Sequence, residues 1–146
     1  MIRKINLNDI DKYNELGKTL NSNFEKLFDL EKTLKNNYNK IYVYENVDIL
    51  GFIHIQISFD SADIINIVVD EKHQSKGIGS TLLNYAINEN NLKEINIEVR
   101  TKSKAVDFYK RNDFKIIRTI PKYYDNDDAY FMKKVIKWKR MYIYLL

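Results

Sequence analysis

The feature that most restricts this chain is the run Ile64-Ile65-Asn66-Ile67-Val68-Val69, followed at once by Asp70-Glu71-Lys72-His73-Gln74-Ser75-Lys76-Gly77-Ile78-Gly79-Ser80. A nearly unbroken β-branched run is apolar on both of its alternating faces, so it reads as a central strand covered on both sides. Ile78, Leu82, Leu83, Ala86 and Ile87 then recur at helical spacing. A buried strand, a short loop with two glycines and an amphipathic helix therefore follow one another in mid-chain. Such a loop can aim several backbone N–H groups at one point. The helix dipole adds positive potential there, so the unit suits a phosphate or pyrophosphate. Gly77 and Gly79 would allow close approach of the backbone, and Lys76 would add charge. The Gly-Lys-Ser/Thr order of a P-loop is missing, and the glycine spacing is not that of a dinucleotide fingerprint. Helix capping alone is the competing explanation.

The remaining elements are read outward from this unit. Ile2 to Ile5 alternates as a first strand. Asn8-Asp9 caps a helix carrying Ile10, Tyr13, Leu16, Gly17 and Leu20. Phe24, Leu27, Phe28, Leu30 and Leu34 predict a second helix, ended by Asn36-Asn37. Ile41 to Tyr44 is a strand, Glu45 to Asp48 a hairpin turn, and Leu50 to Phe59 the return strand. His54 is expected there as a strand-surface histidine. Past the central helix, Ile95, Ile97 and Val99 alternate with Asn96, Glu98 and Arg100. Ala105, Phe108 and Tyr109 mark a helix that Asn112-Asp113 ends, since both residue types tolerate the left-handed conformation. Phe114 to Ile120 and Ala129 to Ile136 are strands around a polar turn. The order βααβββαβαββ predicts one α/β (α+β) domain with a central mixed sheet flanked by helices over residues 1–136. An apolar, aromatic and basic tail over 137–146, Trp138 to Leu146 in its main part, is expected to dock on its own domain or at a dimer contact.

Composition excludes several chemistries. With no Cys in 146 residues there is no disulfide, thiolate nucleophile or thiolate metal site. Two histidines, His54 and His73, make a histidine-rich metal site improbable, and no metal is expected. Met1 to Ile5 is too short and charged for a signal peptide, and no apolar run reaches membrane-spanning length. The expectation is a reduced cytoplasmic protein. Residues 1–101 carry 12 Lys/Arg against 15 Asp/Glu, and residues 102–146 carry 12 against 5, so a net of −3 is followed by +7. The basic third could hold RNA or a ribosome, or a phosphorylated ligand; a solvated face is the blander reading. No DNA partner is expected.

The order of elements and the segment Gln74-Ser75-Lys76-Gly77-Ile78-Gly79 resemble the GCN5-related N-acetyltransferase (GNAT) superfamily, whose pyrophosphate loop reads Gln/Arg-x-x-Gly-x-Gly/Ala. Ile97-Glu98-Val99-Arg100 looks like the family's fifth strand, and Ala105 to Phe114 like its helix ending in Tyr and Gly-Phe, with Asp113 in place of that Gly. The resemblance covers roughly residues 2–136. Within the family it leans toward the bacterial ribosomal-protein alanine N-acetyltransferases, through Glu98, Tyr109 and the segment Lys122-Tyr123-Tyr124 to Met132. It departs from them in Lys122, where they carry Asn, and in the absence of a Pro after the tyrosines. The Asn that often contacts the cofactor is also missing near Lys102.

The resemblance implies acetyl-CoA as co-substrate. The backbone of Ile67, Val68 and Val69 would pair with the pantetheine arm, and Gln74, Ser75, Lys76, Gly77, Ile78, Gly79 and Ser80 would wrap the pyrophosphate. It implies Glu98 as base and Tyr109 as acid, with Tyr123 and Tyr124 at the acceptor site. The chemistry suits these types. The attacking amine must be neutral, a carboxylate can take its proton, and a tyrosine hydroxyl can protonate the leaving thiolate. A backbone N–H of the fourth strand would hold the developing charge. The expected acceptor is a primary amine, the α-amine of a protein N-terminus; a small-molecule amine is the alternative, and monomer and homodimer both stay open. Each residue keeps a plainer explanation. Glu98 could pair with Arg100 or a Lys, Tyr109 could be core, and the tyrosine pair could fill a strand corner. Asp127 and Asp128 could be a solvated turn or attract a cationic acceptor.

Overall fold

The computed structural model describes residues 1–136; the expected tail over 137–146 lies outside the described residues. The elements are β1 (Ile2–Lys4), α1 (Ile10–Gly17), α2 (Phe24–Leu27), α3 (Leu30–Leu34), β2 (Asn39–Asn46), β3 (Asp48–Ser58), β4 (Ser61–Val69), α4 (Ile78–Glu89), β5 (Glu94–Arg100), α5 (Ala105–Arg111), β6 (Lys115–Tyr124) and β7 (Asp127–Val135), with 3-10 turns at Leu7–Asp9 and Glu71–His73. The seven strands form one mixed sheet in the order β1-β2-β3-β4-β5-β7-β6, as the expected α/β architecture requires.

One correction concerns the second helix, expected as a single element over Phe24 to Leu34. It breaks into α2 and α3 because Asp29 takes an extended conformation and its carboxylate accepts the Lys32 N–H, capping a new helix start. Phe28, ahead of this break, packs on Phe24 and lies edge-on to His54. Three helical segments therefore precede β2, not two.

The sheet is covered on both faces. One face, with Ile53, Ile55, Ile64, Ile95, Ile97 and Met132, packs on Leu82, Leu83 and Ala86 of α4 and on Val106 and Tyr109 of α5. The other, with Ile41, Val43, Phe52 and Val68, packs on Tyr13, Leu16, Phe24 and Leu30 of the N-terminal helices. Double cover explains the β-branched run of β4. It also overturns the expectation for His54, which is buried and not at the strand surface. Its Nε2 lies 2.8 Å from Asn39 Oδ1, while Asn39 Nδ2 donates to the Thr33 carbonyl. Burial pushes the imidazole down to about 4, so it is neutral at physiological pH.

Every strand pair is antiparallel except β4 and β5. These pair in parallel over only three rungs, Ser61↔Glu94, Ala62↔Ile95 and Asp63↔Asn96. Beyond Asp63 and Asn96 the two strands part, although β4 runs on to Val69 and β5 to Arg100. On its other edge β4 stays paired with β3, skipping Ile65 between Asn66↔His54 and Ile64↔Ile55. A bulge beside a strand separation re-aims the backbone where the sheet opens.

Candidate active site

Two pockets flank the separation of β4 and β5. The first, of about 650 Å³, is lined by Ile67 and Val69 of β4, by His73 to Ser75 and Gly77 to Ser80 of the loop and α4, and by Lys104, Ala105, Phe108, Tyr109 and Arg111 along α5. The loop that opens it is built from local backbone preferences. Ser75 and Gly77 both have positive φ, 65° and 84°, and Gly77 sits at the N-cap of α4. Alternation of left- and right-handed residues turns successive N–H groups toward one side. The N–H groups of Gly77, Ile78, Gly79 and Ser80 donate to no acceptor among the described residues. The Gln74 side-chain amide donates to the Val69 carbonyl at 3.1 Å and ties the loop to the end of β4.

The two glycines do different work. A Cβ on Gly77 would meet nothing within 4 Å, so the space before the free N–H groups is open; its φ alone demands glycine. A Cβ on Gly79 would lie 3.0 Å from the Phe108 ring. Gly79 therefore lets α5 approach α4, a packing role beside any contact with a ligand. Lys76, expected to add charge, is exposed and does not line the pocket; its cationic lining comes instead from Lys104 and Arg111. The side chain of Val68 is also turned away, into the cluster under α1–α3, while Ile67 and Val69 face the pocket. The backbone of Ile64 to Val69 has no strand partner on the β5 side.

Tyr109 is buried at the inner end of this pocket, with Phe108 and Phe114 packed edge-on against it. Its hydroxyl bonds to no described residue. Burial, with Tyr124 nearby, pushes that hydroxyl well above the usual range, so it stays protonated. Asp113 takes the left-handed conformation (φ 68°) anticipated for it at the end of α5.

The second pocket, of about 320 Å³, lies between the same strands and the β6–β7 hairpin. Asp63, Ile64, Ile65, Asn96, Ile97, Glu98, Tyr123, Tyr124 and Phe131 line it. Glu98 is exposed within it and pairs with no cation among the described residues. Its carboxylate, together with partial burial, pushes the nearby Tyr123 hydroxyl up to about 12. The Tyr124 hydroxyl reaches the Glu98 carbonyl at 3.5 Å, and its ring stacks edge-on with Tyr123. Asp63 accepts from Asn96 Nδ2 at 3.3 Å on the last rung before the strands part.

Glu98 and Tyr109 therefore line different pockets, and Tyr124 stands next to both. Arg100 does not pair with Glu98. Its guanidinium lies 4.1 Å over the Tyr124 ring and donates to Asp127 at 3.0 Å. Asp127 also lies 3.9 Å from Lys102, and Asp128 accepts from the Lys122 N–H. These two aspartates fasten the hairpin, while Asp128 stays exposed to solvent. The hairpin itself is tighter than expected. β6 and β7 run on to Tyr124 and from Asp127, and an irregularity between Ile120 and Tyr124 accommodates Pro121 and left-handed Lys122 on this edge strand. Sequence reading pointed to the basic segment around Lys102 to Lys104 without assigning Lys104 a place, and it missed Ala105, Phe108 and Arg111 as lining residues. Their signal was the i, i+4, i+7 spacing of Lys104, Phe108 and Arg111 along one helix face. It also missed Asp63 and Asn96, which only strand register brings beside Glu98.

A helix-capping loop with free N–H groups at the end of a parted parallel strand thus stands across from a carboxylate and two tyrosines on one mixed sheet. The comparisons name the class: residues 37–116 match the acetyltransferase (GNAT) domain, more than half the chain, and the protein belongs to that family and is an N-acetyltransferase. No curated protein matches the sequence. Among solved structures, the fold is similar to Ard1 from Thermoplasma volcanium, with 27% identity, 94% of this chain and 98% of that chain covered, and a TM-score of 0.75. It is similar to the ribosomal-protein-S18-alanine N-acetyltransferase from Escherichia coli, with 22% identity, 94% of each chain covered and a TM-score of 0.74. It is also similar to an aminoglycoside 6'-N-acetyltransferase complexed with coenzyme A, with 15% identity, 95% and 98% covered and a TM-score of 0.82. GNAT acetyltransferases use acetyl-CoA, and the open space before Gly77 with its free N–H groups fits a pyrophosphate. No group of His, Asp and Glu among the described residues is arranged to hold a metal, and no described helix is long and apolar enough to cross a membrane.

Proposed function

We propose that the protein transfers acetyl from acetyl-CoA directly to a primary amine, and that this amine is the N-terminal α-amine of a protein. The observation that carries the reading is the pairing of the two pockets across the separated strands. One side offers free N–H groups and a protonated Tyr109; the other offers the Glu98 carboxylate ringed by Tyr123 and Tyr124. In this reading Glu98 takes a proton from the incoming ammonium, directly or through a water. The neutral nitrogen attacks the thioester carbonyl, the carbon–sulfur bond breaks, Tyr109 supplies the proton to the departing thiolate, and the second proton that the nitrogen sheds on becoming an amide returns to the tyrosinate. The backbone at the Ile65 bulge is the place for a donor to the carbonyl oxygen. With no Cys in the chain, transfer is direct. Ile67, Val68 and Val69 would offer their unpaired backbone edge to the pantetheine arm, and Gln74 to Ser80 would seat the pyrophosphate. The setting is the cytoplasm, where acetyl-CoA and nascent protein N-termini meet.

The α-amine rests on the likeness to the ribosomal-protein-S18-alanine N-acetyltransferase, together with Glu98, Tyr109 and the tyrosine pair. A small cationic amine is the second reading. The second pocket carries two carboxylates, Asp63 and Glu98, and no Lys, Arg or His among its lining residues, which suits a compact polycation. A panel of short peptides with free α-amines, polyamines and aminoglycosides, each incubated with acetyl-CoA and read by mass spectrometry, decides between them. Acetyl on the peptide α-amine supports the first reading. Turnover of the small amines alone overturns it in favour of the second.

A further inference from the structure

The cofactor-side pocket holds two cations that a pyrophosphate seated on backbone N–H groups does not use. Lys104 and Arg111 both line it, from the wall facing the Gly77 loop. They stand about 10 Å apart along α5, by the helical rise, and share a face with Phe108. Neither forms an ion pair with any described residue, whereas neighbouring cations are engaged: Arg100 and Lys102 both pair with Asp127. No Asp or Glu lines this pocket. Two unpaired cations against an acid-free cavity call for a ligand anion beyond the pyrophosphate. In acetyl-CoA that anion is the phosphate on the ribose 3′-oxygen.

We propose that Lys104 and Arg111 recognise the 3′-phosphate of acetyl-CoA and make the enzyme discriminate against the 3′-dephospho form. The inference rests on the acetyl-CoA reading and extends it to the adenosine end. Calorimetry of the full chain with CoA and with 3′-dephospho-CoA tests it, in the wild type and in a Lys104→Gln/Arg111→Gln variant. Both side chains are exposed, so the fold does not depend on them. The wild type is expected to bind CoA at least about tenfold more tightly than the dephospho form, roughly 1.4 kcal/mol. The double variant should bind both forms alike, with the dephospho affinity unchanged. Equal binding of the two forms by the wild type overturns the proposal, as does a double variant that weakens both equally. Failure of the wild type to bind either form would strike down the acetyl-CoA reading itself, so the two failures are told apart.

Discussion

The two pockets are made in opposite ways. The proposed cofactor side is one stretch of chain: a strand end, a loop with left-handed Ser75 and Gly77, and the first turn of α4, closed by a single wall from α5. Its chemistry is mostly backbone. The proposed acceptor side is assembled from Asp63 on β4, Asn96 and Glu98 on β5, and Tyr123 and Tyr124 at the end of β6, and its chemistry is side chain. Backbone sites tolerate drift in side-chain identity as long as the backbone angles survive. Side-chain sites can change their specificity at any one of several distant positions. A common reaction with varied acceptors needs this division.

The comparison breaks first at Tyr109, the residue assigned to the step that joins the two sides. Tyr109→Phe keeps the ring packed between Phe108 and Phe114 and loses a hydroxyl that bonds to no described residue. Melting temperature should barely move, and turnover should fall by roughly 10²-fold with acetyl-CoA affinity unchanged. Unaltered turnover would make Tyr109 a core residue only. Gly77→Glu comes next. It forces a left-handed residue and sets a carboxylate before the free N–H groups, so acetyl-CoA affinity should drop by about tenfold or more in calorimetry. Gly79→Ala should act differently. Its Cβ would press on Phe108, lowering the melting temperature at least as clearly as the affinity. Equal effects of the two substitutions would merge roles that the geometry separates.

How far the site was legible follows from the same division. The loop from Gln74 to Ser80 could be read because most constraints on it are local: a buried strand before, a helix after, and glycine at position 77 where φ is positive, though left-handed Ser75 gave no such signal. Left-handed Asp113 could be read for the same reason. The break at Asp29 could not, because Phe24 to Leu34 keeps helical spacing while a single capping carboxylate divides it. His54 was misplaced because alternation along β3 does not say that α1–α3 cover its face. Tyr123 and Tyr124 were visible as a motif, but their approach to Glu98 depends on the pairing of β7 with both β5 and β6. Asp63 gave no signal, since only the parting of β4 and β5 after the Asp63↔Asn96 rung makes it a lining residue.

Two smaller effects sharpen the acceptor side. Glu98→Gln should lower turnover about tenfold at neutral pH, leave acetyl-CoA affinity intact, and recover as pH rises and more α-amine is already neutral. A rate–pH profile that keeps its wild-type shape would remove Glu98 from proton transfer. Glu98, together with partial burial, also raises the folded-state titration of Tyr123 to about 12. A raised pKa favours the protonated form, so this interaction is present below about pH 10, the unfolded value, and is lost as pH climbs through the folded one. Tyrosinate absorbance in Glu98→Gln should show one tyrosine titrating earlier than in the wild type. Superimposable curves would mean that the carboxylate does not face that hydroxyl.

The central claim is that the two pockets are halves of one site, filled together, with acetyl passing straight across the parted strands. Initial rates measured while acetyl-CoA and the best acceptor of the panel are both varied test this most directly. The account predicts double-reciprocal lines that intersect, as a ternary complex requires. Parallel lines, with acetyl retained on the protein in the absence of acceptor, would contradict it.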